Sequence, residues 1–182
     1  MPSPLGHALA GLTVHVISAN DGTALASRRR AGVAVAAGVA PDLDLLLRLV
    51  DGRNHHQAES HSLGCALLAA GLAFVVARWR RWAEPLSLAV VAGFAWGSHL
   101  VLDYLGRDTH PPIGIMAFWP VSQSYFKFPW PIFLDIGRTL EWRTVVNNLV
   151  AMTWETVLLV PLLYFIWRRR SRALSDRVGS HG

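Results

Sequence analysis

The chain has 182 residues, enough for one domain, with 52% hydrophobic residues, 16% charged residues and a mean hydropathy of +0.32. That composition excludes an ordinary soluble domain and fits a small polytopic membrane protein. The basic balance, pI about 10.3, does not point to nucleic acid, because the arginines sit at Arg28–Arg30, at Arg78, Arg80 and Arg81, and at Arg168–Arg170 with Arg172. Each cluster abuts an apolar run, which is the positive-inside pattern.

Five apolar stretches follow one another, roughly 5–26, 31–50, 62–77, 86–105 and 145–167. A membrane span needs about 17–25 residues, so several of these are short or interrupted. The first is the weakest, because it contains His15, Asn20 and Asp21, and it suits a tilted or interfacial helix. The fifth, ending in Tyr164-Phe165-Ile166-Trp167 before the arginines, is the clearest. The start of the chain lacks the basic segment of a secretory signal. The expected fold is all-α: a polytopic membrane helix bundle of about four to five membrane helices, forming one membrane-embedded domain over residues 1–170. A polar, disordered cytoplasmic tail, 171–182, completes the chain. The connection 106–144 is aromatic and proline-rich, and it suits an outer lid or a cap on the bundle. Cys65 excludes an intrachain disulfide and reads as a buried inert thiol.

Ionisable groups in apolar segments are costly, so their placement carries information. With the arginine clusters on the inside, His7, Asp42, His56, His61, His99 and Asp103 all fall at the outer ends of the stretches. These are residue types that bind zinc or manganese. His99 and Asp103 stand one helical turn apart and project from one face. Pro41-Asp42-Leu43-Asp44 breaks the second stretch as discontinuous membrane helices do at ion sites. Asp42 is the ligand candidate there. Asp44 is a ligand, a bridging or outer carboxylate, a proton acceptor, or a partner of Arg48. His56 and His61, five apart, need a loop between them, with Ser60 as a candidate helix cap and His55 as a substitute for His56. Glu59 is a candidate general base or a salt-bridge partner. His15 reads as a core histidine, and His110 as a residue that could line the site. Glu155, mid-span, calls for a partner such as Asn147, Asn148 or a histidine.

In order along the chain, His7, Pro41-Asp42-Leu43-Asp44, His56-x4-His61-Ser62-Leu63, His99-Leu100-Val101-Leu102-Asp103-Tyr104, Gly114 and Trp119-Pro120 resemble the YdjM-type inner-membrane proteins called membrane-bound metal-dependent hydrolases. Gln57 stands where that family usually has arginine, and Ser60 where it has threonine. More distantly, the HxxxD helix is similar to zinc-dependent phospholipase C, which implies a zinc cluster cleaving phosphodiesters. The resemblance implies a bacterial inner-membrane hydrolase whose site faces the extracytoplasmic side. Its cofactor would be a divalent metal, Zn2+ or Mn2+, held by His7, Asp42, Asp44, His56, His61, His99 and Asp103. Asp44 or Glu59 would take the water's proton. Membrane lipid and a lipid or small-molecule substrate are the expected partners, with no nucleic acid. The alternative is a non-enzymatic membrane protein such as a metal or proton transporter, with His15 and Glu155 as deeper stepping stones.

Overall fold

The computed structural model describes residues 1–47, 50, 52 and 55–179. Its helices are α1 (Pro4–Ile17), α2 (Gly22–Ala26), α3 (Arg28–Val39), α4 (Leu63–Trp79), α5 (Pro85–Tyr104) and α6 (Trp142–Gly179), with a 3-10 turn at Ala40–Leu46 after α3. No strand occurs among the described residues, only isolated bridges such as Ile115 with Phe126. The all-α expectation holds. Two helices, α5 and α6, are long and apolar enough to cross a membrane. At 14 and 12 residues, α1 and α3 rise only about 21 and 18 Å. Both fall short of the roughly 30 Å hydrocarbon core.

The helix starts follow capping chemistry. The side chains of Ser3, Asp21, Ser27 and Ser62 accept from the first-turn amides of α1, α2, α3 and α4. Pro4 and Pro85 occupy first-turn positions, where the missing N–H costs nothing. Ser62, not Ser60, caps α4. The stretch expected to end near residue 50 stops being α-helical at Val39, because Pro41 cannot donate into it. The final helix runs on to Gly179, so Ser171–Gly179 is helical where a disordered tail is expected. Ser171-Arg-Ala-Leu-Ser-Asp-Arg-Val contains no breaker, and Leu174 is buried.

Small residues let the inner helices approach closely. A Cβ on Gly11 would lie 2.4 Å from the Ala34 carbonyl oxygen, and one on Gly38 would lie 2.8 Å from that of His7. Ala34, Ala37, Val91, Ala92 and Ala95 form the core between α3 and α5. By contrast α6 exposes Trp154, Val157, Leu162, Phe165 and Trp167, an apolar face of the kind that lipid covers.

The arginines of the three clusters gather at one end of the bundle. Arg30, buried, donates to Ser87 at the start of α5 (3.2 Å) and to the Ser18 hydroxyl after α1 (2.8 Å). The Arg29 guanidinium covers the Trp82 ring at 4.7 Å, beyond the end of α4. Arg170 reaches the Ala19 carbonyl at 2.8 Å. The acids and histidines of interest occupy the opposite end, at the start of α1, the end of α3, the segment before α4 and the end of α5. The connection after α5 closes over that end: Met116 N–H donates to the Gln57 carbonyl at 3.0 Å and Leu63 N–H to that of Ala117 at 2.9 Å.

Candidate metal centre

Four separate pieces of chain converge on one buried point. His7 comes from the second turn of α1, Asp42 from the 3-10 turn, His61 from the residue two before α4, and His99 with Asp103 from the last turns of α5. His7, His61, His99 and Asp103 are buried to within 2% of full enclosure. The one-turn spacing on α5 works as expected: His99 Nε2 lies 3.1 Å from Asp103 Oδ2. His61 Nε2 lies 3.1 Å from that same oxygen and 3.0 Å from His99 Nε2. Asp42 Oδ1 is 3.5 Å from His99 Nε2 and 3.6 Å from His61 Nε2. On the other side His7 Nε2 faces Asp103 Oδ1 at 3.4 Å and Asp42 Oδ2 at 3.9 Å, its ring stacked on that of His99 with centroids 3.6 Å apart. The donor atoms of His7, Asp42, His99 and Asp103 all lie within 4.8 Å of one another, and so do those of Asp42, His56 and His61.

The second nitrogen of three rings is held from behind. His99 Nδ1 contacts the Gly38 carbonyl oxygen at 2.8 Å, His56 Nδ1 contacts Asp44 Oδ1 at 2.7 Å, and His61 Nδ1 lies 3.2 Å from Asp44 Oδ2. An acceptor on Nδ1 fixes the tautomer and leaves Nε2 as a lone-pair donor, the arrangement seen around metal-ligating histidines. His61 Nε2 and His99 Nε2 meet each other, but several other inner atoms have distance without hydrogen-bond geometry. Both nitrogens of His7, Oδ1 of Asp42 and both oxygens of Asp103 are buried with no hydrogen-bond partner. Of these, His7 Nε2 and the carboxylate oxygens crowd together without bonding one another, and a cation would satisfy them.

Charge points the same way. Burial opposes a charge on His61, but Asp103, Asp42 and Asp44 outweigh it and hold the imidazole well above its ordinary pKa. Burial likewise pushes the Asp44 carboxyl up, and the bonds from His56 and His61 overcome it and hold it below the usual carboxylate range. Three carboxylates around buried imidazoles thus favour positive charge in the centre.

The remaining expected residues take other places. Asp44 stands behind His56 and His61, with Ser60 Oγ donating to its Oδ2 at 2.6 Å. Both its oxygens are engaged, by the Nδ1 atoms of His56 and His61 and by Ser60, on the side of the rings away from their Nε2 atoms. Its suggested pairing with Arg48 lies outside the described residues. His56 Nε2 is 4.0 Å from Asp42 Oδ1 and 2.7 Å from Met1 Sδ, at the edge of the cluster. Glu59 is exposed rather than in the cluster, and its charge, after burial, helps push the Tyr125 hydroxyl up. His110 faces Asp135 at 3.8 Å in the outer connection. His15 serves Arg30, its Nδ1 3.1 Å from Nη1, at the basic end. Glu155 is fully buried and accepts from Ser3 N–H at 2.8 Å and from the Ser3 hydroxyl, capping the start of α1. Asn148, one of the partners suggested for it, instead bonds both backbone groups of Gly137. Sequence reasoning missed the Gly38 carbonyl and Ser60 as supports. A backbone acceptor leaves no side-chain signal, and Ser60 reads equally well as a cap.

A family model described as YdjM inner membrane protein matches residues 1–173. The chain belongs to that family. Its apolar helices suit the membrane setting of the family, and the buried His/Asp cluster lies within the matched residues. No curated protein and no solved structure matches the chain.

Proposed function

We propose that this YdjM-family protein is a metal-dependent hydrolase that cleaves a phosphoester or ester of an amphiphile at the outer face of the inner membrane. One observation carries the reading: His61 Nε2, His99 Nε2, Asp42 Oδ1 and Asp103 Oδ2 stand 3.0–3.6 Å apart over the contacts described. An ion with tetrahedral bonds of ~2.0–2.2 Å separates its ligands by roughly 3.3–3.6 Å, so the donors stand at that spacing or a few tenths of an ångström inside it. Nitrogen and carboxylate donors suit Zn2+, with Mn2+ as the other fit. Held by three of these donors, such an ion keeps an open position, where it would supply a nucleophilic water at neutral pH and polarise the scissile bond.

The chain's own residues do the rest. Asp44 and the Gly38 carbonyl hold the imidazoles in one tautomer. Asp42, with 10% of its side chain exposed, marks where water and substrate reach the cluster. An apolar groove of 670 Å³ runs between α3, α4 and α5, from Val76 and Trp82 near the basic end to Ala40, Cys65 and Trp96. Its upper end is linked to the centre through Ser60: Trp96 Nε1 donates to the Ser60 carbonyl at 2.9 Å, and Ser60 Oγ lies 2.9 Å from His61 Nδ1. An acyl chain in this groove would bring its headgroup ester to the cluster. The basic end, placed in the cytoplasm by the positive-inside rule, sets the cluster on the far side.

The test is metal analysis of the detergent-purified protein, with hydrolysis of a panel of phosphoesters and acyl esters, beside His99→Ala. The expected result is bound metal and hydrolysis of at least one amphiphilic substrate, both lost in the variant. A chain that purifies without metal and binds none when supplied, or that moves metal across vesicles while hydrolysing nothing, overturns the reading.

A further inference from the structure

We infer that Glu155 is a positioning residue for the metal centre: through Ser3 it fixes the start of α1, and with it the place of the His7 ring. The inference rests on the metal-centre reading above. Glu155 is fully buried in α6, a helix long and apolar enough to cross a membrane. An acid at such a point is costly and is kept where a contact needs it. Both of its oxygens go to one residue. Oε1 accepts from Ser3 N–H at 2.8 Å, and Oε2 accepts from the Ser3 hydroxyl. That hydroxyl in turn accepts from Gly6 N–H at 3.2 Å as the cap of α1. Gly6 leaves the carboxylate its room, since a Cβ there would stand 2.7 Å from Oε2.

His7 follows one turn after the cap, its N–H donating to the Ser3 carbonyl at 3.1 Å. Its ring is fully enclosed and neither nitrogen has a hydrogen-bond partner, so no hydrogen bond aims it. The helix that carries the ring places it, together with stacking on His99 at 3.6 Å between centroids. Against α3, the approaches of Gly38 to the His7 carbonyl and of Gly11 to the Ala34 carbonyl limit how near α1 comes. They do not limit how far it slides or turns. The apolar cluster shared by Ala10 of α1 and Leu159 of α6 is likewise non-directional. Further along, the two helices leave an apolar gap of 320 Å³ lined by Leu12, Val16, Val160, Leu163, Tyr164 and Trp167. A carboxylate bonded to the amide and hydroxyl of one residue is directional, so it fixes offset and rotation together. The donor atom of His7 lies within 4.8 Å of those of Asp42, His99 and Asp103. Metal–ligand distances tolerate only about 0.2 Å, so a small slide of α1 takes His7 out of that set.

The affinity of detergent-purified full-length protein for Co2+ is the readout, with the visible Co2+ spectrum as the report on ligand geometry. Glu155→Ala should weaken binding by roughly 10–100-fold and shift the spectrum. In a His7→Ala background the same substitution should change neither, because Glu155 acts through His7. Glu155→Gln, which accepts from the Ser3 amide and donates to the Ser3 hydroxyl, should stay near the wild type. Asn148→Ala, which breaks another polar contact of α6 away from α1, should leave binding as it was. Wild-type affinity and spectrum in Glu155→Ala overturn the positioning role and leave the metal centre standing. So does an equal loss in both backgrounds, or an equal loss in Asn148→Ala. Where His7→Ala binds too weakly to compare, an unshifted spectrum in Glu155→Ala overturns the role. A wild-type chain that binds neither Co2+ nor Zn2+ overturns the centre itself and the positioning role with it. Should Glu155→Ala fail to fold, Ser3→Ala, which removes the hydroxyl contact alone, is read in the same two backgrounds with the same expectation.

Discussion

The carbonyl oxygen of Gly38 lies 2.8 Å from His99 Nδ1, so one backbone atom of α3 sets the orientation of a ring on α5. The same glycine allows α1 to approach, since a Cβ there would stand 2.8 Å from the His7 carbonyl oxygen and 3.4 Å from Gly11 Cα. Helix packing and the geometry of the cluster therefore meet in one residue.

Gly38→Ala should force α1 away from α3 at a cost of about 1–3 kcal/mol, as overpacking in close-packed interiors does. It should also lower metal content, because His7 and the acceptor of His99 move together. Gly32→Ala is the control: nothing lies within 4 Å of a Cβ at that position, and alanine is the better helix former. Melting of both variants in detergent, with metal content measured in parallel, checks this. Equal melting temperatures would contradict it.

Asp44→Asn should weaken metal binding by roughly 10–100-fold without abolishing it. The amide replaces a charged acceptor shared by His56 and His61 and offers a donor to one of their Nδ1–H groups. Competition against a chromophoric chelator measures the change. A complete loss of binding equal to that of Asp103→Asn would put Asp44 among the direct ligands.

Ion binding should release a proton and tighten as pH rises. The carboxylates around His61 outweigh its burial and keep it protonated above the ordinary histidine range, and a metal takes only the neutral ring. Affinity should climb by about tenfold per pH unit while one proton is displaced, and level off above the raised pKa. The ion-free chain has the opposite sign: the stability from charged His61 is complete below about pH 6.5 and is lost as pH rises through the raised value. Calorimetry in two buffers of different ionisation enthalpy counts the protons. Binding that is flat between pH 6 and 8 would be inconsistent with this.

Topology is open to direct labelling. In a background of Cys65→Ala, an impermeant thiol reagent added outside intact cells should modify Ser124→Cys in the exposed connection after α5. It should not modify Ser171→Cys beside the last arginines, in keeping with the positive-inside rule. The reverse pattern would place the metal centre on the cytoplasmic side.

The sequence by itself determined the class of fold, the residues of the cluster and their common end. Apolar stretches with arginines at alternate ends allow few arrangements, and histidines or acids set in such stretches have little reason to be there except as a group. It also announced the break at Pro41 and the shared face of His99 and Asp103 through local backbone rules. Only the tertiary structure decided how the donors divide. Whether Asp44 faces an ion or the back of an imidazole depends on the angle of the 3-10 turn against the 55–62 segment, which no spacing encodes. The same holds for Glu155, placed mid-span by its position in α6 yet spent on the amide and hydroxyl of Ser3 at the start of α1. Interhelical offset set that partner, and offset comes from side-chain packing across elements, such as the approach of Gly11 to Ala34 and of Gly38 to His7, rather than from any one helix.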